Sequence, residues 1–274
     1  GRALQPIGQM VSSWRAIHRA RAAFFHIRSS LDEKVPKVAG LKLPEPSGAV
    51  RVENLIYGAP GNQNAILRNI TFEAEAGETV IIGGASGSGK TTLARQLVGL
   101  IPVSAGRISL DGVAIDKWPR EAFGRYIGYM PQVAKLLPGT IAENISRLDD
   151  DSDDAIVEAA KRANIHEAIM RLPLAYSTTQ TDADIMLPAS IKQRIGLARA
   201  FYGTPKLLVL DDPTSYLDMD AEIAFARTIR EFKALGSTVI ILSHRTNLIE
   251  LADKLIVLAE GSIKLSGPRS EVVM

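Results

Sequence analysis

The sequence predicts an α/β fold built on a mainly parallel sheet with helices on both faces. Three observations carry that prediction. Short continuous apolar runs recur at Thr79–Ile82, Leu207–Leu210 and Thr238–Leu242, the pattern of strands buried on both sides. Segments of helical apolar spacing alternate with them, at Thr91–Leu100, Asp153–Leu172, Ser190–Tyr202 and Ala221–Leu235. A glycine- and serine-rich turn, Gly84 to Gly89, joins the first buried run to the first of these helices.

The remaining elements follow in chain order. Residues 2–31 carry Arg2, Arg15, Arg19, Arg21 and Arg28 and no acidic residue. Met10, Trp14, Ile17, Phe24, Ile27 and Leu31 recur at helical steps there. Two readings of this basic helix stand side by side. It leaves a membrane with its arginines on the cytoplasmic side, or it packs as an amphipathic helix on the domain or a partner. Asp32 to Ala49, with Pro36, Pro44, Pro46, Gly40 and Gly48, has the composition of a linker. The main domain is expected over residues 50–274. It opens with strand-like runs at Val50–Ile56 and Ala65–Ala74, adds a short strand at Tyr126–Met130, and closes with a pair at Lys254–Ala259 and Ser262–Leu265.

Composition narrows the classes. The 274 residues are 46% hydrophobic, ample for a core, and the net charge of +2 gives no general case for nucleic acid. Cysteine is absent, which excludes disulfides and thiolate metal sites. No apolar run is long enough to span a bilayer, and no signal peptide is visible.

The chemistry lies in the motifs. Gly84-Ala85-Ser86-Gly87-Ser88-Gly89-Lys90-Thr91 fits G-x-x-x-x-G-K-[ST], the P-loop, and Thr92 continues it into the helix. The glycines let successive backbone N–H groups curl toward one anion, and the helix N-terminus adds its partial positive charge. Lys90 is placed to reach β- and γ-phosphates, and the Thr91 hydroxyl to ligate Mg²⁺. The run Leu207–Leu210 ends in Asp211 and Asp212. An acid at the tip of a neighbouring strand is what such a site needs to hold Mg²⁺, which fits Asp211. Asp212 then orients or deprotonates the attacking water. Gln132 ends the strand Tyr126–Met130 with an amide able to reach Mg²⁺ and that water. His244, after Thr238–Leu242, brings an imidazole able to donate to a γ-phosphate.

This ordered set resembles the nucleotide-binding domain of ABC transporters, from Val50 to about Met274. By that resemblance Gln132 is the Q-loop glutamine, Asp211 the Walker B aspartate, Ser215–Asp218 the D-loop and His244 the switch histidine. Tyr57 is either the aromatic that stacks on adenine or a core residue. Leu137–Ile145 is similar to the exporter sequence after the Q-loop. The start, Gly1 to Ile7 with Trp14 and Arg21, is similar to the end of the last membrane helix in type I secretion ATPases. The resemblance implies a P-loop NTPase core, a small antiparallel β part and a helical subdomain over about residues 133–204. It also implies ATP and Mg²⁺ as ligands and a head-to-tail dimer of two such domains, homo- or heteromeric. The further partners implied are a membrane domain in the same parent chain and a periplasmic adaptor, at the cytoplasmic face of the inner membrane.

Two departures bear on rate. Asp212 stands where the family usually has glutamate, one methylene longer. Leu187-Pro188-Ala189-Ser190-Ile191 aligns with the signature L-S-G-G-Q, because the following Lys192–Ala200 matches well. Pro188 removes a hydroxyl and a backbone donor, Ile191 replaces a polar side chain, and Asp182 and Asp184 add negative charge nearby. The expectation is an ABC exporter ATPase of the type I secretion kind, binding ATP normally and hydrolysing it slowly. A non-hydrolytic, ATP-gated subunit and a soluble ABC ATPase are the alternatives. Asp212→Glu with a serine restored at 188 separates the first from the leading reading, because a dead module should gain turnover. The lack of a second such domain or a long coiled coil, with the basic entry helix, argues against the second.

Overall fold

The computed structural model describes residues 14, 16–25, 28, 43–58, 65–149, 153–182 and 187–272. The chain divides into two units, Gly1–Leu41 and Lys42–Met274. In the first, Trp14, residues 16–25 and Arg28 are helical. The rest of the predicted basic helix, and the linker up to residue 42, lie outside the described residues.

The second unit starts with β1 (Val50–Gly58) and β2 (Ala65–Ala74), followed by β3 (Thr79–Gly83) and helix α1 (Lys90–Leu97). Next come β4 (Ala105–Leu110), β5 (Val113–Ala114), α2 (Arg120–Tyr126) and β6 (Ile127–Met130). These are followed by α3 (Ile141–Ser146), α4 (Asp153–Arg162), α5 (His166–Met170) and α6 (Ala189–Phe201). The chain then runs through β7 (Leu207–Asp211), α7 (Met219–Ala234), β8 (Thr238–Leu242), β9 (Lys254–Ala259), β10 (Ser262–Pro268) and α8 (Arg269–Val272).

The larger sheet has the order β10-β9-β3-β8-β7-β6, parallel throughout except for the β9/β10 pair. A smaller antiparallel sheet has the order β2-β1-β4-β5. Strand alternation sends side chains to two cores. Val80, Ile82, Leu207, Val209, Ile240 and Leu242 face the antiparallel sheet and α1. Ile81, Leu208, Leu210, Val239 and Ile241 face the helical side, with Ile145, Ile195, Phe201, Phe225 and Phe232. Phe201 and Phe232 stack there with ring centroids 5.3 Å apart. Fully burying one such large side chain stabilises by about 1.5–3 kcal/mol, so this three-layer arrangement is what holds the strand ends in register. Because β3, β6, β7 and β8 run parallel side by side, the segments after them emerge at one edge of the sheet.

The structure differs from the sequence expectation at several boundaries. The helix foreseen over Thr91–Leu100 stops at Leu97. Leu100 N donates to Arg95 O (2.8 Å) and Gly99 N to Gln96 O (3.0 Å), with Gly99 at φ 69°, a Schellman stop that only glycine adopts without strain. The helix foreseen over Asp153–Leu172 is two, α4 and α5, broken at Asn164 with φ 53°. Tyr126 closes α2, and the strand begins at Ile127. Residues 47–49 are tied down rather than loose, since Ser47 Oγ donates to Asp111 Oδ1 (2.7 Å) and Ala49 N to the same atom (3.0 Å).

Arg147, just past α3, fastens the helical side to the strands. Its guanidinium donates to Arg199 O (3.0 Å) and Tyr202 O (3.0 Å) at the end of α6, and to Gly124 O (2.8 Å) and Ile127 O (2.7 Å) at the end of α2. These carbonyls have lost their helical partners, and a cation suits the negative end of the helix dipole. Burial still lowers the Arg147 pKa to about 10.

Candidate nucleotide site

The loop between β3 and α1 curls because its glycines allow it. Gly84 has φ 153°, and a Cβ there would lie 2.3 Å from Leu258 O. Gly89 starts α1 from the left-handed region at φ 103°, where a Cβ would lie 2.7 Å from a Leu67 methyl. The α1 N-terminus so placed has no side-chain cap and no acidic residue in its first turn, which leaves its positive end uncompensated. Lys90 is buried, and its Nζ donates to Gly84 O (2.7 Å) and Ala85 O (2.9 Å) across the loop. Ser88 Oγ is buried and meets no acceptor among the described residues. Ala85, Ser86 and Gly87 form the outer rim, with Gly87 at φ 80°. Thr91 and Thr92 are half-buried on the first turn.

Asp211 ends β7 and is buried, yet neither carboxylate oxygen has a hydrogen-bond partner among the described residues. Burial raises its pKa, the neighbouring Thr91 hydroxyl pulls it down, and Asp212 pushes it up. A buried carboxylate with two unmet oxygens is costly unless something satisfies it. With the Thr91 hydroxyl beside it, this oxygen-donor set fits Mg²⁺.

Asp212 takes the left-handed backbone, φ 48°, and its amide donates to Leu242 O (2.8 Å). This turn points its carboxylate at two other strand ends. Gln132 Nε2 donates to Asp212 Oδ2 (3.3 Å), and His244 Nδ1 lies 3.1 Å from Asp212 Oδ1. Three residues far apart in sequence therefore meet on one carboxylate, at the sheet edge shared with Lys90 and Asp211. A carboxylate flanked by an amide and a half-exposed imidazole is equipped to hold a water and take its proton.

A profile for ABC transporters matches residues 67–215. The chain belongs to the ABC transporter family. Among curated proteins, this ABC domain is 38% identical over 99% of its length to the type I secretion system ATP-binding protein PrsD of Rhizobium meliloti, covering 47% of that protein. It is 34% identical over 98% of its length to a fatty acid ABC transporter ATP-binding/permease protein of Mycobacterium bovis, covering 42% of it. A solved bacterial Atm1-family ABC exporter with ATP bound superposes with a TM-score of 0.79 at 29% identity, over 95% of this chain and 46% of that one. The chain thus spans less than half the length of these relatives. No helix among the described residues is long and apolar enough to cross a membrane.

Other predicted positions of the ABC domain are less central. Tyr57 lies on β1 opposite Leu67, half-buried and packed against the core of the antiparallel side; residues 59–64 beyond it are outside the described residues. Pro188 is the N-cap of α6, at φ −66° and ψ 161°, with no side-chain cap bond. Ile191 packs on the helical core. Asp182 accepts from the Thr179 hydroxyl (2.6 Å), and Asp184 is outside the described residues. Sequence reasoning passed over Tyr129. Its hydroxyl is buried without a partner among the described residues, and burial followed by the charge of Asp211 raises its pKa. It sits opposite Val209, on the sheet face that also carries Asp211, so strand alternation before Gln132 was the signal available.

Proposed function

We propose that the chain is the ATP-binding and hydrolysing part of an ABC exporter of the type I protein secretion kind, with low turnover. The observation that carries it is the meeting of Gln132 and His244 on Asp212, beside the P-loop and the unsatisfied Asp211. The P-loop amides and Lys90 bind the ATP phosphates, and Thr91, Asp211 and Gln132 hold Mg²⁺. The ion, when bound, neutralises charge on the β- and γ-phosphate oxygens. Asp212 takes the proton of the attacking water, Gln132 orients that water, and His244 donates to the γ-phosphate. Two such domains close on two nucleotides, each P-loop facing the other's signature segment. Adenine stacks on Tyr57.

Low turnover follows from the two departures. Aspartate at 212 carries a shorter reach than glutamate, and imperfect base placement costs up to about 10²–10⁴-fold. The proline N-cap at 188 gives the partner's γ-phosphate neither a hydroxyl nor an amide. The same pair of features favours a second reading, a subunit that closes on ATP without consuming it.

The type I secretion assignment is supported by the PrsD relative, 38% identical over 99% of this chain. A membrane domain preceding this segment in the same parent chain, a periplasmic adaptor and a place at the cytoplasmic face of the membrane belong to that proposal. We place the surface that couples to that membrane domain near Gln132 and residues 133–145. The test is Mg-ATP hydrolysis at rising protein concentration beside direct ATP binding. Tight binding with slow, concentration-dependent turnover is the expected result. Binding with none favours the second reading, and fast turnover removes the argument from Pro188 and Asp212.

A further inference from the structure

Gln193 lies on α6 and is buried to 3% exposure. Its side-chain amide uses both of its donors and one acceptor position. Nε2 donates to Asp212 O (3.2 Å) and Pro213 O (3.1 Å), and Oε1 accepts from Tyr216 N (3.1 Å). These three bonds grip both ends of the turn that leaves β7. That turn needs a grip. Asp212 is a non-glycine residue at φ 48°, a conformation L residues adopt at a cost. Besides Gln193, the turn is held by the Asp212 amide on Leu242 O (2.8 Å) and by Ser215 Oγ on Asp212 O (3.0 Å). The direction of the Asp212 carboxylate toward Gln132 and His244 depends on this backbone.

The helix bearing Gln193 begins at Pro188, so the segment aligned with the signature and the grip on Asp212 share one rigid element. The same helix presses on the chain just past Gln132. A Cβ on Gly196 would lie 2.5 Å from the Ala134 Cβ, so only glycine admits the approach. Displacement of α6 at its signature end is therefore felt at the backbone of Asp212.

We propose that Gln193 is a positioning residue: it carries the position of α6, set by what its signature end meets, to the Asp212 turn and to the D-loop amide of Tyr216. The signature segment, offered to a partner's nucleotide, and the carboxylate, offered to the chain's own, then move together. This rests on the reading that ATP is hydrolysed at Asp212.

Two near-isosteric changes test it in the whole chain. Gln193→Glu keeps the acceptor for Tyr216 and loses both donors. Gln193→Met loses all three bonds at similar volume. Both are compared with the wild type for thermal unfolding, affinity for a fluorescent ATP analogue, steady-state kcat and KM, and hydrogen exchange over residues 211–218 with and without ATP. Losing two net hydrogen bonds predicts kcat lower by about tenfold or more, with KM and ATP affinity within about twofold. ATP is expected to slow exchange over 211–218 in the wild type and to leave it unchanged in Gln193→Met. Unaltered kcat in both variants, or KM and affinity worsening in step with kcat, overturns the proposal. Should the wild type bind ATP and hydrolyse none, the hydrolytic reading fails, and the exchange data alone then judge Gln193. Equal ATP-induced protection in wild type and Gln193→Met refutes it.

Discussion

The nucleotide site and the signature end of α6 are built by opposite means. Around the P-loop, Lys90 and Asp212 are each fixed by polar partners. Lys90 is tethered by two loop carbonyls, and Asp212 is shared by Gln132 and His244. At the start of α6, Pro188 caps the helix with no side-chain hydrogen bond, Pro188 and Ala189 are exposed, and Ile191 turns into the core. Under the proposed function, the contrast makes binding and turnover separable. The first region would hold a nucleotide with this chain's own residues, and the second would meet a partner's nucleotide with a hydroxyl and an amide fewer.

The largest expected effect breaks the first region alone. Lys90→Met removes the buried ammonium while keeping much of the volume. Charge-assisted bonds to phosphate are worth about 1.5–3 kcal/mol each, so ATP affinity should fall by about 100-fold. Titration with a fluorescent ATP analogue reads this directly, and unchanged affinity would show that the loop amides bind without the lysine.

Next is the carboxylate where three strands meet. Asp212→Asn keeps the shape and the acceptor oxygen but cannot take a proton. Turnover should fall by about 10²-fold while ATP affinity stays within a few-fold. A variant as fast as the parent would mean that Asp212 only arranges Gln132 and His244.

The comparison is sharpened by repairing the second region. Pro188→Ser offers α6 a capping hydroxyl, which should stabilise the helix by about 1 kcal/mol. Joined with Asp212→Glu, it should raise turnover, whereas either change alone leaves the other lesion in place. Steady-state hydrolysis of the double variant, read against both singles, decides it. No gain would place the limit elsewhere, for example in closure of the dimer.

How much of this was legible beforehand follows the same division. The buried strands, the P-loop and the two aspartates were plain in the sequence, because continuous apolar runs and glycine spacing are local signals. The convergence of Gln132 and His244 was legible only as order along the chain, and the sheet topology turned that order into distances. Helix α3 was missed although Thr140 and Glu143 form a capping box at its start, a signal present in the sequence. Strands β4 and β5 were missed because β4 buries only its last three residues and β5 is two residues long. The break at Asn164 was invisible since Ala163 and Ile165 keep the apolar spacing of a continuous helix. Gln193 was hidden for another reason. A buried glutamine looks like any polar residue on a helix until the backbone it grips is known.

The smallest expected effect separates the two regions by stability. Tyr176, in the helical part that leads to α6, sits 2.9 Å from His166 Nδ1, and burial pushes its pKa up to about 12. A phenol whose pKa is higher in the folded chain than in the unfolded one favours folding below the unfolded value of about 10. Between about pH 10 and 12 the unfolded chain loses its proton first, so that contribution fades as pH rises. Tyr176→Phe should therefore flatten the alkaline limb of the stability curve, with little change at pH 7 beyond the loss of one hydrogen bond. Because Tyr176 is partly exposed, solvent screening keeps the effect small. Urea midpoints at pH 8 and pH 11 measure it. An identical alkaline loss in both proteins would assign it to groups other than this tyrosine.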